Sequence, residues 1–286
     1  MHIITFDIED WYNHDDYSRD FAWDKYEVRV YAGVEKILSA LETHKIKGTF
    51  FCLGWLAEHH PSLIRMIADA GHQLACHSYQ HELATRLSSQ DFREDTYKAK
   101  CLIEDVGGKS VDAYRVPSFS VTRDNLWVFD ILMDLGFKYD CSVFPARHEF
   151  GGLPDFFARP SKIVSRKRDG VLKEFPISLG RFLGREIVFS GGGYFRVIPY
   201  SILCRMTKYN DYVMSYFHPS DFDPDQPQMP YLPWMRQVKN RIALKGAYEK
   251  FKKYIGSDIH FINILEADSE VNWDECPVFD IDNGKS

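Results

Sequence analysis

Two histidines four residues apart, His77 and His81, are the first residues that indicate a chemical function. They stand in the segment HSYQH directly after a short apolar run, and a turn of helix there would aim both rings at one point. Neutral imidazole is the commonest protein ligand of transition metals, and a catalytic zinc site typically has three protein ligands and one open position. Histidine pairs are also common on surfaces and at helix ends, so the pair alone is weak evidence for a metal site. A third ligand nearby would strengthen it.

Acidic residues near the N-terminus offer that ligand. Asp7, Glu9 and Asp10 follow the apolar, β-rich residues 3–6. A carboxylate at the end of a buried strand is costly unless it is paired or bound to metal, although a cap or a solvated turn would also explain it. Alternation along the strand places Asp7 and Glu9 on one side and favours Glu9 as the ligand, whereas a bulge would bring in Asp10 instead.

Arg115, Asp140 and His218 each come directly after a further strand-like run. Taken singly, an ion pair between Arg115 and Asp140 and a turn before proline at His218 would explain them. Together with the acidic cluster and the histidine pair, however, they make five polar groups at the carboxyl ends of strands. The active sites of βα barrels lie at that end of the strands.

Strand-like and helical segments alternate along the chain. Strands are predicted at residues 3–6, 48–53, 73–76, 111–114, 137–139, 171–175, 212–217 and 261–265. Helices are predicted at residues 33–44, from 61 to a stop at 71, from 88 or 89 to 106, and at 122–135, 199–208 and 234–253. The alternation predicts an α/β fold with a parallel sheet of βα units.

The remaining segments are predicted to be loops. Residues 145–170 form a long loop, and the polar tail after residue 265 is loose. Residues 190–193, Ser-Gly-Gly-Gly, are either a flexible loop or a place where the backbone approaches a ligand closely. The basic amphipathic helix at 234–253 is expected to pack on the body of the protein.

Composition excludes several classes of protein. The 286 residues are 45% hydrophobic and 27% charged, which is typical of a globular protein, and the net charge of −6 argues against nucleic-acid binding. Aromatic residues make up 15%, which suits either a carbohydrate-binding surface or a large core. The six cysteines lack C-x-x-C spacing and are expected to be reduced thiols. Because we see neither a signal peptide nor a membrane span, we expect a cytoplasmic protein.

Together these motifs resemble the polysaccharide deacetylases of carbohydrate esterase family 4, the NodB-homology group. That family has an Asp-Asp motif, a His-Ser/Thr-x-x-His motif, an Arg-x-Pro motif, an Asp-Ser-Ser-like motif and a late histidine. The similar segments here are TFDIED at 5–10, HSYQH at 77–81, RVP at 115–117, DCS at 140–142 and YFHP at 216–219. Residues 190–194 and 218–227 are further similar to a subgroup found in exopolysaccharide loci.

The resemblance spans residues 3–218 and implies a NodB-like fold. This is a distorted (β/α) barrel of about seven parallel strands. It implies one catalytic domain over residues 1–286, with a family-specific part from about residue 219.

Two motifs depart from the family pattern. Asp-Ile-Glu-Asp-Trp replaces the adjacent Asp-Asp-Gly, so the choice between Glu9 and Asp10 stays open. Ser118-Phe119-Ser120 replaces the usual glycine after the Arg-x-Pro motif, which leaves the oxyanion-binding amide open.

The resemblance implies a divalent metal and a substrate that carries N-acetyl groups. Zinc is the first expectation, with cobalt, nickel or manganese as alternatives, and the ligands would be His77, His81 and either Glu9 or Asp10. The substrate would be an N-acetylated amino-sugar polymer or its lipid-linked precursor. Whether the chain forms a homo-oligomer stays open.

The resemblance also assigns proton-transfer roles. Asp7 would take a proton from water as general base, and Arg115 would hold it ionised and oriented. His218 would protonate the leaving amine, with Asp140 keeping the imidazole charged.

Two alternatives to N-acetyl hydrolysis remain from the sequence. One is a metal-dependent amidase acting on a formylated amino sugar or a ureide, and residues of the substrate pocket would decide between these substrates. The other is a carbohydrate-binding protein without catalysis, which only the altered first motif favours. Absence of metal, with sugar affinity that survives a chelator, would support the binding protein.

Overall fold

A computed structural model describes residues 1–13, 21–182, 184–227 and 234–283 of the chain. Its strands are β1 (His2–Ile8), β2 (Thr49–Cys52), β3 (Gln73–Cys76), β4 (Ala113–Tyr114), β5 (Tyr139–Asp140), β6 (Ser161–Ser165), β7 (Arg168–Glu174), β8 (Gly180–Phe182), β9 (Arg185–Ile187), β10 (Val213–Phe217), β11 (Phe261–Ile262) and β12 (Val278–Asp280). Its α-helices are α1 (Val30–Thr43), α2 (Gly54–His59), α3 (Pro61–Asp69), α4 (Ser89–Gly107), α5 (Trp127–Asp134), α6 (Gly192–Val197), α7 (Tyr200–Lys208), α8 (Trp234–Arg241), α9 (Ala247–Ile255) and α10 (Ile264–Glu270). Within these ranges, no helix has the length and apolar character needed to cross a bilayer.

One large sheet runs through the protein in the order β10-β1-β2-β3-β4-β5-β7-β6-β12. The first seven strands of this order are parallel, while β6 is antiparallel to β7 and β12 is parallel to β6. β11 adds to the start of β1, and β8 pairs with β9 in a separate hairpin. The predicted α/β class with about seven parallel strands is confirmed, and the pairings between described residues do not close the sheet.

Helix α4 shows how local sequence builds the scaffold. The Ser88 side chain accepts a hydrogen bond from the Asp91 amide and so caps the first turn, while Gly108, in a left-handed conformation with φ 63°, ends the helix. Apolar residues at helical spacing, including Phe92 and Ile103, are buried. Each such side chain stabilises the fold by about 1.5–3 kcal/mol. The helix is therefore fixed well enough to hold part of the site described below.

The C-terminal half differs from the prediction in at least three places. The predicted helix at 234–253 is two helices, α8 and α9, because Ala243 turns left-handed with φ 54° between them. α9 packs on the body, whereas Trp234, Met235 and Val238 of α8 are exposed. The tail predicted to be loose contains β12, which extends the sheet, and β6 interrupts the predicted loop at 145–170. A hydrophobic period does not reveal a single left-handed residue or a short edge strand.

Gly191 belongs to the glycine run whose role the sequence left open. A Cβ atom at Gly191 would lie 2.4 Å from the carbonyl oxygen of Tyr216, and the two residues form an isolated parallel bridge. Close packing of two backbone segments therefore explains the glycine at this position.

The buried residue His72 gives the fold a specific pH dependence. Its Nδ1 accepts a hydrogen bond from the Gly48 amide at 3.2 Å, and protonation would remove that acceptor. Burial, with Lys47 and Lys109 nearby, lowers the pKa of His72 to about 4. The folded pKa lies below the unfolded value of about 6.5. The stability that the neutral His72 ring contributes is therefore fully present above pH 6.5 and is lost as the pH falls toward 4.

In wild type, His72 makes the free energy of unfolding fall by about 3 kcal/mol between pH 6.5 and pH 4. We expect His72→Asn, whose amide oxygen replaces Nδ1 as acceptor, to abolish this part of the fall. Chemical denaturation at several pH values between 4 and 7 measures this. His260→Asn, at an exposed histidine, is the control. An unchanged pH dependence in His72→Asn would contradict the interpretation.

Candidate active site

A buried ion pair joins the ends of β1 and β4. Arg115 Nη1 donates to Asp7 Oδ1 at 2.5 Å and to Thr5 Oγ1 at 3.0 Å, and Arg115 Nε donates to the Cys141 carbonyl at 3.3 Å. The guanidinium also lies over the Phe51 ring at 4.1 Å. Since the side chains of Arg115 and Asp7 are only 1% and 3% exposed, loss of either would leave an uncompensated buried charge.

Glu9, His77 and His81 come together beside this pair. Their candidate ligand atoms all lie within 4.8 Å of one another, and all three residues are buried. His81 Nε2 lies 3.0 Å from Glu9 Oε2. Two imidazoles and one carboxylate are a donor set that zinc accepts at catalytic sites. The residues present therefore fit a divalent metal.

The tautomer of His77 suits a metal ligand. Its Nδ1 lies 2.7 Å from the Arg115 carbonyl oxygen, and since a carbonyl only accepts, Nδ1 carries the proton and Nε2 keeps its lone pair. Burial lowers the pKa of His77 to about 4, so the ring is neutral near pH 7. Arg115 thus orients Asp7 with its side chain and His77 with its backbone.

A tight turn, rather than the turn of helix considered above, brings the two histidine rings to 5.1 Å between centroids. Ser78 and His81 adopt left-handed conformations with φ 68° and 57°. The Ser78 hydroxyl accepts from the His81 amide at 2.9 Å, and Asp95 of α4 accepts from the amides of Tyr79 at 2.9 Å and Gln80 at 3.2 Å. Asp95 therefore holds the turn, although its place inside a helix gave no sequence signal.

Left-handed backbone is concentrated around the site. Of seven non-glycine residues with positive φ in the described ranges, four lie here, because Ser118 and Phe119 have φ 52° and 49° in addition to Ser78 and His81. Such conformations cost about 1–3 kcal/mol each and persist only where the surroundings impose them. Ser118 and Phe119 also line the pocket, so the turn after the Arg-x-Pro motif shapes its wall.

His218 faces the same group from the end of β10. Its Nε2 lies 3.1 Å from Glu9 Oε1 and 3.9 Å from Asp7 Oδ2, and its Nδ1 lies 3.4 Å from Asp221 Oδ2. Burial opposes protonation, but the Asp221, Glu9 and Asp7 carboxylates outweigh it and raise the pKa of His218 to about 9. Asp221 was missed by the sequence analysis, although its place three residues after His218 was a usable signal.

Asp10 lies outside the metal-ligand group. Its carboxylate accepts hydrogen bonds from the amides of Trp11, Arg29 and Val30 at 2.7–2.9 Å. Burial raises the pKa of Asp10 to about 6. Three backbone donors occupy this carboxylate, so Asp10 ties the end of β1 to the start of α1. Of the two alternatives for the carboxylate ligand, Glu9 lies in the metal-ligand group and Asp10 does not.

Asp140 also lies apart from His218, contrary to the role implied by the resemblance. It is fully buried, accepts from the Ser142 hydroxyl, and shares a hydrogen bond with Glu174. Burial and the neighbouring Asp140 charge raise the pKa of Glu174 well above its usual range, and burial raises the pKa of Asp140 as well. Among the described residues, Asp221 takes the place beside His218 that was predicted for Asp140.

These groups line one pocket of about 200 Å³ that is open to solvent. Asp7, Glu9, His77, His81, Arg115 and His218 form its polar part. Aromatic side chains form much of the remaining wall, namely Phe119, His148, Phe150 and Tyr216.

Comparison with protein families finds two matching segments in this chain. Residues 13–139 match the model described as polysaccharide deacetylase, and residues 141–268 match a domain of unknown function, DUF3473. A curated peptidoglycan-N-acetylglucosamine deacetylase of Bacillus cereus is 30% identical over 91 residues, which are 32% of this chain and 33% of that protein.

The chain is similar to the polysaccharide deacetylase family over residues 13–139. It spans only 33–42% of the length of the first three curated relatives that it matches.

Solved structures confirm the deacetylase-like fold. A Mycobacterium smegmatis structure named as a polysaccharide deacetylase is 20% identical with a TM-score of 0.63, and the match covers 96% of this chain and 90% of that chain. A CE4 family pseudoenzyme of Bacillus anthracis is 17% identical with a TM-score of 0.51, and the match covers 93% of this chain and 64% of that chain. At these identities the likeness concerns the fold alone.

Asp95→Ala tests how the histidine pair is held. Removing the carboxylate frees the turn at Tyr79 and Gln80, and we expect zinc affinity to fall about 10- to 100-fold, as for other groups that orient metal ligands. Competition with a chromophoric chelator measures the affinity. Glu94→Ala, at the exposed neighbouring position, is the control. Equal zinc affinity in the Asp95 variant and the wild type would refute this role.

Proposed function

We propose that the protein is a metal-dependent hydrolase that removes N-acetyl groups from the amino sugars of a polysaccharide or its precursor. The observation that carries this proposal is the convergence of three groups in one pocket. These are the ligand set Glu9, His77 and His81, the buried Asp7–Arg115 pair, and His218 with its carboxylate partner. The curated relatives named as peptidoglycan-N-acetylglucosamine deacetylases support N-acetylglucosamine as the first sugar to test.

Glu9, His77 and His81 would hold the metal, and zinc is the metal that we propose. When bound, a divalent metal supplies Lewis acidity, which polarises the acetyl carbonyl and lowers the pKa of water in the site. The residues themselves provide a neutral His77 with a fixed tautomer and a carboxylate, Glu9, already within 3.0 Å of His81.

Asp7 acts as the general base. Arg115 Nη1 occupies Asp7 Oδ1, so Oδ2 is left toward His218 and the pocket. Asp7 takes a proton from the attacking water as that water adds to the acetyl carbon.

His218 acts as the general acid. Asp221 Oδ2 accepts from both the His218 amide and, at the longer distance of 3.4 Å, its Nδ1, which leaves Nε2 toward the pocket. As the C–N bond breaks, the proton on Nε2 passes to the leaving amine, and the acetyl group departs as acetate.

Two variants separate catalysis from metal binding. We expect Asp7→Asn to keep zinc but to lower kcat for acetate release by at least about 100-fold, because the amide cannot take a proton. We expect His81→Ala to lose bound zinc. Elemental analysis of the purified variants and an acetate assay on N-acetylglucosamine oligomers measure both effects, with circular dichroism as the folding control. An active Asp7→Asn would refute the assignment of the base.

Asp221→Asn tests the partner of His218. We expect kcat to fall about 10- to 100-fold while zinc content and KM stay close to the wild type, since the carboxylate orients the acid without touching the substrate. Asp223→Asn is the matched control, because Asp223 pairs with Arg29 instead. Equal kcat values for the two variants would remove Asp221 from the mechanism.

A further inference from the structure

A continuous row of aromatic rings runs along one wall of the pocket. Neighbouring rings contact each other at 4.7–6.0 Å between centroids, and the row begins 5.7 Å from the His218 ring. We call this set the aromatic row; its members in order are Tyr216, Phe119, Phe144, His148 and Phe150. All except Phe144 line the pocket.

The far end of the row stands on a closed loop, residues 144–153, whose first and last residues share a backbone hydrogen bond of 2.8 Å. The Gly152 amide donates to the Val121 carbonyl at 2.7 Å, and a Cβ atom at Gly151 would lie 2.5 Å from the Phe119 carbonyl oxygen. Gly152 also has φ 109°, a conformation that only glycine adopts readily. The two glycines therefore let the loop dock directly on the turn that shapes the pocket wall.

Within this loop, His148 and Phe150 present an apolar surface and a hydrogen-bond donor side by side. The Phe150 amide donates to His148 Nδ1 at 3.3 Å, so the ring proton is on Nε2. Burial lowers the pKa of His148, which keeps the ring neutral near pH 7. His148 Nε2–H is thereby a donor, and the Phe150 ring is 5.8 Å away.

Core packing explains only part of the row. Phe119 is buried at 7% exposure, whereas His148 and Phe150 are half-buried and face the cavity. The pocket therefore has a charged side that carries the proposed chemistry and an aromatic side for which that chemistry has no use.

We infer that His148 and Phe150, at the end of the aromatic row, form a subsite that binds a pyranose ring of the glycan next to the sugar that is deacetylated. A pyranose ring has an apolar C–H face, which packs on the Phe150 ring, and a rim of hydroxyl groups, one of which accepts from His148 Nε2–H. The inference rests on the proposed function and makes it specific, because a subsite of this kind selects oligomers over single amino sugars.

The test compares Phe150→Ala with Tyr97→Ala, a control at an aromatic residue that is 59% exposed and does not line the pocket. The zinc-loaded Asp7→Asn protein, which we expect not to turn over substrate, is titrated calorimetrically with the tetramer of N-acetylglucosamine. We expect Phe150→Ala to weaken binding about tenfold or more, Phe150→Tyr to restore it, and Tyr97→Ala to leave it unchanged. In the background with native Asp7, KM for the tetramer should rise by the same factor while kcat stays near the wild-type value.

The outcomes separate the subsite from the proposed function. Tetramer binding that depends on Phe150, without acetate release by the protein with native Asp7, supports the subsite and contradicts the deacetylase. If the protein releases acetate and Phe150→Ala changes neither the affinity nor the KM for the tetramer, the subsite is overturned and the deacetylase stands. Absence of tetramer binding to the parent protein overturns the subsite as well.

Discussion

The buried ion pair between Arg115 and Asp7 is the contact on which the rest of the site depends. Both side chains are almost fully buried, and removing one partner of such a pair typically costs about 3–5 kcal/mol. The pair joins the ends of β1 and β4, and the carbonyl of the same arginine fixes the tautomer of His77. One residue therefore orients both the proposed base and a proposed metal ligand, and a shift of Arg115 would disturb both.

The site draws on three parts of the chain. Asp7 and Glu9 precede the segment that matches the polysaccharide deacetylase model, while His77, His81 and Arg115 lie inside it. The segment that matches the domain of unknown function contributes His218, Asp221 and the loop with His148 and Phe150. Parallel strands from all three parts end at one edge of the same sheet, which is why these groups meet. In this geometry neither matched segment contains a complete set of groups for the proposed reaction.

The sequence was informative where function follows from position at the end of a strand. Asp7, Glu9, His77, Arg115 and His218 each follow an apolar run that the structure shows as a strand, and parallel strands place their carboxyl ends together.

The sequence did not reveal which of several similar carboxylates takes a given role in the site. Asp10 and Asp140 are carboxylates, as Glu9 and Asp221 are. Only the folded structure shows that backbone amides occupy Asp10 and that Glu174 pairs with Asp140. The position of Asp95 in the middle of a helix carried no signal at all.

Acetate release from the tetramer of N-acetylglucosamine, measured with zinc-loaded protein before and after a chelator, tests the central claim most directly. The account predicts release that stops when the chelator removes the metal and returns when zinc is added back. Release that continues after all metal has been removed would contradict the role of Glu9, His77 and His81. Absence of release from N-acetylated amino-sugar oligomers by protein with a full complement of zinc would contradict the deacetylase itself.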